Sequence, residues 1–516
     1  MSQIQHTPES PHGSFQDFLF RNKGNKSYLY IAAVAILIQL TIFKYFYPYA
    51  GFILQDSYAY LLSAFWNDSI GIYPVGYPQF LRFFSVFTRS DTILVAFQYV
   101  LLEISSLFFV FTIFYTYRCR RLTKNLVFGF AVFNPVNLYI ANYISSDSVF
   151  AALSLIWFTL LIWIVLKPSV HLLMLQAIVI FLAFTVRYNA LYYPIISIAV
   201  ILFSRQKPLH KLSGILTIVL TIGLFIWYTT QKYYELTGIR QFSPFSGWQI
   251  ANNAINGYRY IEKVDRKPVP EQFKKLDQIT RKYIDSTHRN ILVNLQELQL
   301  GTTYYMWKTP SPLQQYMLKA FHTRDTVFNL KRWASMGPLY SAYGLFLMRQ
   351  YPSEYKSSFL IPNVAKFCAP PLEFLEAYNM GQDTVAGIAT AWFHYKSNRV
   401  SVRLNDFKAR VLVFYPILIG CVNFLFITSF LCFMILKGYN IKPFIRLLSL
   451  AGNFLIINFC FSVFSAPVYA RHQIFPTLVS LVFASIMIEY VCNAAFTPAK
   501  LSSSVHTTAD NLSMPG

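Results

Sequence analysis

Apolar runs approaching about 20 residues recur along this chain from Tyr28 to Cys492, and they constrain its fold more than any other feature. A helix of about that length with few charges crosses the ~30 Å hydrocarbon layer of a bilayer. A soluble protein builds its core from shorter, amphipathic elements instead. The runs predict about ten spans. They lie at 28–47, 92–117, 125–142, 147–166, 170–186, 189–204, 213–231, 411–436, 445–464 and 473–492. The expected fold class is an all-α polytopic membrane protein.

The rest of the chain divides around those spans. Residues 1–27 are polar and lack the order of a cleaved signal, which predicts a cytoplasmic tail and an uncleaved first anchor. The N-terminal membrane module, 28–231, contains a first outer loop at 48–91, and the last three spans fill 411–492. Residues 493–516 read as a disordered cytoplasmic tail. Between the two membrane modules, 232–410 is too long for an unstructured loop. Its helical patterns, such as PEQFKKLDQITRKYIDSTHRNILVNLQELQ, and its scattered prolines predict a mostly helical extracytoplasmic domain lying on the spans.

Charge gives the sidedness. The formal net charge is +22, but the basic residues mostly flank spans or lie in the large polar region. That points to anionic headgroups and phosphorylated substrates, with no nucleic-acid partner. RCRRLTK (Arg118–Lys124), SRQKPLHK (Ser204–Lys211), KGYNIKPFIR (Lys437–Arg446) and FRNKGNK before the first span all fall on one side when ten spans alternate. The positive-inside rule makes that side the cytoplasm. Six cysteines, four of them in apolar runs, form no disulfide framework.

The opposite side collects the chemistry. In ILQDSYAYLLSAFW, helical spacing lines up Asp56, Tyr60, Ser63 and Asn67 on one face, with leucines and aromatics on the other. This predicts an interfacial helix carrying one acid, which is either simply solvated or set beside a lipid headgroup. FNPVNLYIANYISSDSVFAALS places Asp147 at the tip of a hairpin, where Ser145, Ser146 and Asp147 would cap the next helix. FTVRYNALYYP and SAPVYARHQIFP bring Arg187 and Tyr188, and Arg471 and His472, to the same side. A lone arginine there ordinarily snorkels to the interface, yet its guanidinium fork also matches phosphate oxygens. Glu103 lies inside the second expected span, where an acid is costly and either functional or held by a neighbouring helix.

The stretches QDSYAYL, YPVGYPQFL, NPVNLYIANYISSDSVF, VRYNALYYP and SAPVYARHQIFP resemble, in order and sidedness, the outer loops of the GT-C superfamily. These are integral-membrane glycosyltransferases that use polyprenyl-phosphate-linked sugars, and the group nearest in pattern holds the dolichyl-phosphate-mannose mannosyltransferases and the lipid A aminoarabinose transferases. The resemblance covers 28–230 well and the last three spans loosely.

The resemblance implies a GT-C-like bundle; the basic-loop sidedness predicts that both termini are cytoplasmic, and the lack of a retrieval signal in the C-terminal tail favours a bacterial cytoplasmic membrane. The resemblance also implies a lipid-linked sugar donor and a glycan, lipid or protein acceptor, besides contacts with membrane lipids. Asp56 would be the general base of an inverting transfer and Asp147 would orient the base or the acceptor. Arg187 and Arg471 would bind the phosphate with help from His472, and Tyr60 and Tyr188 would line the substrate site. No cofactor is required. Gln55 precedes Asp56 where some branches carry an acidic pair, so a divalent metal has no support. A flippase of lipid-linked sugars, a polymerase or ligase of lipid-linked glycans, and a scaffold with a disused site remain alternatives.

Overall fold

The computed structural model describes residues 13–287, 303–404 and 411–496. It is all-helical, with 77% helix and no strand among the described residues. Most of the expected C-terminal tail, residues 1–12 of the N-terminal tail, and the end of the PEQFKKLDQ pattern beyond Thr287 lie outside the described residues.

Among the described residues seven helices are long and apolar enough to cross a membrane, as a multi-pass membrane protein requires. They are Lys23–Phe46, Asp91–Thr116, Asp147–Leu166, Pro208–Thr237, Tyr415–Ile435, Lys442–Ser465 and Ile474–Phe496. The other three expected spans fall short of that measure. The run 125–142 is broken into Arg121–Val132 and Pro135–Ala141, because Pro135 has no N–H to donate and Asn134 caps the second piece. Burial inside the protein makes the break tolerable, since Asn134 Nδ2 donates to the Tyr415 hydroxyl at 2.9 Å and Asn137 is held by Glu103. Val170–Val186 has 17 residues. The run 189–204 is a short 3-10 turn followed by Tyr193–Phe203, which Pro194 opens.

Packing between these helices relies on close contact and hydrogen bonds, since lipid offers apolar side chains as good a solvent as the protein does. Trp157 stacks on Tyr193 at 3.8 Å, and its indole N–H donates to Ser197 at 2.9 Å. Two ends of the bundle can be distinguished. At one end Arg120 N–H donates to Glu489 at 3.0 Å, the Tyr490 hydroxyl donates to the Leu436 carbonyl, and Tyr115 reaches Gly13. The basic segments around residues 120 and 437 and the N-terminal stretch therefore share that end.

The region after Thr237 is built on a tight helix pair, Pro244–Tyr258 against Gly337–Gln350. Gly247 makes the pair possible, since a Cβ there would sit 2.0 Å from the Gly337 carbonyl oxygen. Trp248 and Trp333 stack above it at 5.4 Å.

Residues 371–404 return to the segment 48–91 and tie it down. The Tyr378 hydroxyl donates to the Ala50 carbonyl at 2.8 Å, Phe52 N–H to Asn379 Oδ1 at 3.1 Å, and Tyr395 to Asp91 at 2.8 Å.

Candidate functional site

The site forms where four loops meet at the end of the bundle opposite the basic segments. Gly51 bridges the 141–147 hairpin: its N–H donates to the Asn142 carbonyl at 2.9 Å and its own carbonyl accepts from Ile144 at 3.0 Å. That pairing sets the start of the Asp56–Trp66 helix beside Asp147. Gly76 then meets the end of Val170–Val186 so closely that a Cβ would lie 2.5 Å from the Thr185 carbonyl carbon. Arg187 follows two residues later, and Arg471 enters on the 3-10 turn Ala470–His472, whose first N–H donates to the Pro371 carbonyl at 2.9 Å.

The side chains converge on Asp147. Arg187 Nη1 pairs with Asp147 Oδ1, and Arg471 Nη1 lies 2.9 Å from Asp147 Oδ2. The same Arg471 nitrogen is 3.4 Å from Asp56 Oδ2, and its Nε is 3.1 Å from Glu373 Oε2. Tyr73 donates its hydroxyl to Asp56 Oδ1 at 2.7 Å. Asp56, Asp147, Arg187, Arg471 and His472 thus occupy one cluster, although residues 56 and 471 are far apart in the chain.

Exposure separates the two acids. The Asp147 side chain is 2% exposed and the Asp56 side chain 19%. Asp147 is enclosed between two guanidinium groups and Ser145, whose hydroxyl donates to it at 2.8 Å. Its contacts orient the arginines. Asp56 is the carboxylate that an incoming molecule can reach. Ser146 begins the helix as expected, but its side chain makes no capping hydrogen bond and pairs instead with the Tyr60 hydroxyl at 3.0 Å.

Electrostatics follow from this crowding. Burial opposes charge on Arg471, but Glu373 and Asp56 outweigh it and hold the guanidinium above its ordinary range. Burial, then Arg471 and Arg187, keep His472 well below its ordinary value, so the ring is neutral. Arg187 Nη2 can only donate to His472 Nε2, at 3.1 Å, which leaves the ring proton on Nδ1. Burial followed by Asp56 pushes the Tyr60 hydroxyl up to about 12. Arg471 Nη2 makes none of the hydrogen bonds among the described residues and remains available to an anionic oxygen.

The helix at 56–66 reverses the simplest expectation for an interfacial element. Tyr60, Ser63 and Ala64 face inward, while Leu62, Phe65 and Trp66 are exposed. Tyr60 and Ser63 of the polar stripe face protein together with the apolar Leu61, while Asn67 is exposed alongside Leu62, Phe65 and Trp66. Tyr188 stands apart from the ion pairs in the contacts it makes, with ring neighbours Phe184 at 5.5 Å and Phe242 at 4.6 Å.

Two members of the cluster were not singled out from the sequence. Tyr73 lay within the quoted YPVGYPQF neighbourhood and carried a signal only as one tyrosine among several. Glu373 follows a Pro370–Pro371 pair, and no periodicity marks it out from other acids of that region. Its backbone does mark it, since φ is 52°, a left-handed conformation costly for a glutamate. Among the described residues no group of three or more His, Cys, Asp or Glu side chains is placed to hold a metal ion. Asp56, Asp147 and Glu373 each meet a guanidinium.

No protein-family model matches this chain, and neither a curated protein nor a solved structure does. The arrangement itself offers one reachable carboxylate, two anchored guanidinium groups with N–H donors to spare, and a neutral imidazole. Such a set can accept a proton at one point and hold an anionic oxygen at another.

Proposed function

We propose that this protein is a membrane glycosyltransferase that moves a sugar from a polyprenyl-phosphate donor to an acceptor hydroxyl on the extracytoplasmic side. The observation that carries the reading is the meeting of Asp56, Arg187 and Arg471 in one cluster at the end of the bundle opposite the basic loops. The loop patterns resembling the GT-C superfamily support the step from phosphate binding to sugar transfer.

In this reading the acceptor oxygen attacks the anomeric carbon as its proton passes to Asp56. The bond from that carbon to the phosphate oxygen breaks, and the polyprenyl phosphate leaves with the electron pair. Attack opposite the phosphate inverts the anomeric centre. A base in reach of the hydroxyl contributes roughly 10²–10⁴-fold. Arg471 and Arg187 stabilise the charge on the leaving phosphate, and Asp147 keeps both in place. Tyr73 occupies Asp56 Oδ1, the position the acceptor hydroxyl would take over.

The test is binding of decaprenyl phosphate to the purified protein in nanodiscs, together with transfer from polyprenyl-phosphate-linked sugars. Arg187→Gln and Arg471→Gln should weaken the phospholipid's binding roughly 10–100-fold, the range for lost hydrogen bonds to a charged group. Unchanged affinity in both variants, with melting behaviour intact, would sink the phosphate site. Normal transfer by Asp56→Asn would remove the base.

A further inference from the structure

A cavity of about 620 Å³ lies between the Asp56–Trp66 helix and the segment from Trp307 to Trp333. Its volume falls within the ~300–1,000 Å³ usual for small-molecule sites. It adjoins the charged cluster through two tyrosines that belong to both: Tyr73, which donates to Asp56, and Tyr60, which pairs with Ser146. The second wall comes from the large polar region, which the resemblance did not reach.

The lining has a consistent chemistry. The chain carries 44 lysines and arginines, yet no lysine, arginine or histidine lines this cavity, while Asp68 and Asp325 do. No cationic side chain lines it directly, and the guanidinium behind the wall, Arg332, is already taken by Asp325 at 3.2 Å and by the Val327 carbonyl. Leu62, Ile72, Met317, Leu318, Val327 and Leu330 line it as well, so the acids and amides are set in a partly apolar wall. Broad aromatic faces at Trp66 and Trp307 alternate with hydrogen-bonding groups at Asp68, Gln55 and Gln314. Two lining residues hold buried polar atoms with no partner among the described residues, Ser63 Oγ and Trp333 Nε1.

We infer that this cavity binds the acceptor and that the acceptor is an uncharged carbohydrate. The C–H faces of a sugar ring pack on indole and phenol rings, and its hydroxyls donate to carboxylate and amide oxygens. The unpaired N–H donors of the arginines lie in the neighbouring cluster, while Arg332 behind the cavity wall is held by Asp325, so the two substrates are sorted by charge: the phosphate on the arginines, the neutral glycan in the cavity, with Asp56 at the junction. This assignment rests on the transferase reading and names the substrate class of its second site.

The experiment measures binding to the full chain in nanodiscs of three probes: neutral oligosaccharides of glucose, mannose and galactose, an oligosaccharide of a uronic acid, and decaprenyl phosphate. Trp66, 69% exposed, and Asp68 are the positions to change, because neither is needed for a buried contact of the core. Trp66→Ala and Asp68→Ala should each weaken a neutral oligosaccharide roughly tenfold, the size of one lost aromatic or charged hydrogen-bond contact, and leave decaprenyl phosphate unaffected. The uronate oligosaccharide should bind less well than its neutral counterpart.

Failure of every neutral oligosaccharide to bind overturns the inference, and so does equal or better binding of the uronate. Loss of decaprenyl phosphate affinity in the cavity variants overturns it too, by giving the cavity to the lipid tail. Decaprenyl phosphate binding that depends on the arginines, without any glycan binding, removes this inference alone. Glycan binding with no phosphate binding removes the transferase reading and leaves a carbohydrate site.

Discussion

Arg471 grips Glu373 through Nε, 3.1 Å from Oε2, while Nη1 of the same guanidinium reaches Asp147 and Asp56. One side chain thus joins carboxylates from three separate segments. Glu373 does so from a left-handed backbone with φ of 52°. Residues kept in such a conformation are held by their surroundings, here by the ion pair.

Glu373 should give this site a pH dependence. Burial pushes its carboxyl up to about 7; Arg471 draws it down and Asp56 pushes it back up. Between the ordinary carboxylate range and about 7 the folded chain therefore holds a proton that the unfolded chain has lost. The stability this confers is complete below that window and is lost as pH rises through it. Glu373→Gln does not titrate, and His472 is common to both proteins. The Tm of wild type minus that of Glu373→Gln should fall from about pH 5 to about pH 8. A difference that stays constant over that interval would place the Glu373 proton elsewhere.

The two aspartates should separate stability from turnover. Asp147→Asn removes the negative charge from between two buried guanidinium groups and should cost roughly 3–5 kcal/mol. Asp56→Asn loses a longer contact on a more exposed side chain, so about 1 kcal/mol is expected. In the proposed transfer reaction its rate should nevertheless drop about 10²–10⁴-fold. Chemical denaturation and transfer assays on both variants check the division. Equal destabilisation would mean that the two acids share a single structural role.

Much of this centre could be read in advance. Asp56, Asp147, Arg187, Arg471 and His472 were each visible as a polar residue at the edge of an apolar run, and the alternation of spans with basic loops put them on one side. What lay hidden was contact. Nothing local in Glu373 records that residues 371–404 fold back over residues 48–91, because that return depends on long-range bonds such as Tyr378 to Ala50. The count of spans was obscured for a different reason. Apolarity alone does not register that Pro135 breaks a run whose polar groups are met inside the protein. Tyr188 follows Arg187 directly, but the next residue along a turn points elsewhere, and its ring meets Phe184 and Phe242.

Gly247 should tolerate no side chain. An added Cβ would lie 2.0 Å from the Gly337 carbonyl oxygen, so the pair Pro244–Tyr258 and Gly337–Gln350 would have to separate. Gly247→Ala should cost at least about 1–3 kcal/mol. Gly223→Ala is the control, with nothing within 4 Å of the new methyl and a helical position where alanine gains up to about 1 kcal/mol. Folded yield and Tm of the two variants measure the contrast. A Gly247→Ala protein as stable as wild type would contradict the tight helix pair.

Glu103 should prove replaceable by its amide. It is fully buried on the Asp91–Thr116 helix, where Oε1 accepts from Asn137 Nδ2 at 2.9 Å. Its Oε2 and Asn137 Oδ1 are both buried acceptors without a partner among the described residues. Glutamine keeps one acceptor for Asn137 Nδ2 and adds an N–H₂ donor beside the orphaned oxygen, so two amides can pair reciprocally. It also removes an ionisable group from a membrane helix. Glu103→Gln should therefore be at least as stable as wild type and retain transfer. Glu103→Leu leaves Asn137 unmet next to the Asn134–Pro135 break and should cost about 1–3 kcal/mol. A Gln variant that melts normally but transfers nothing would instead make this acid part of the chemistry, since its hydrogen-bonding role would have been preserved while its proton was lost.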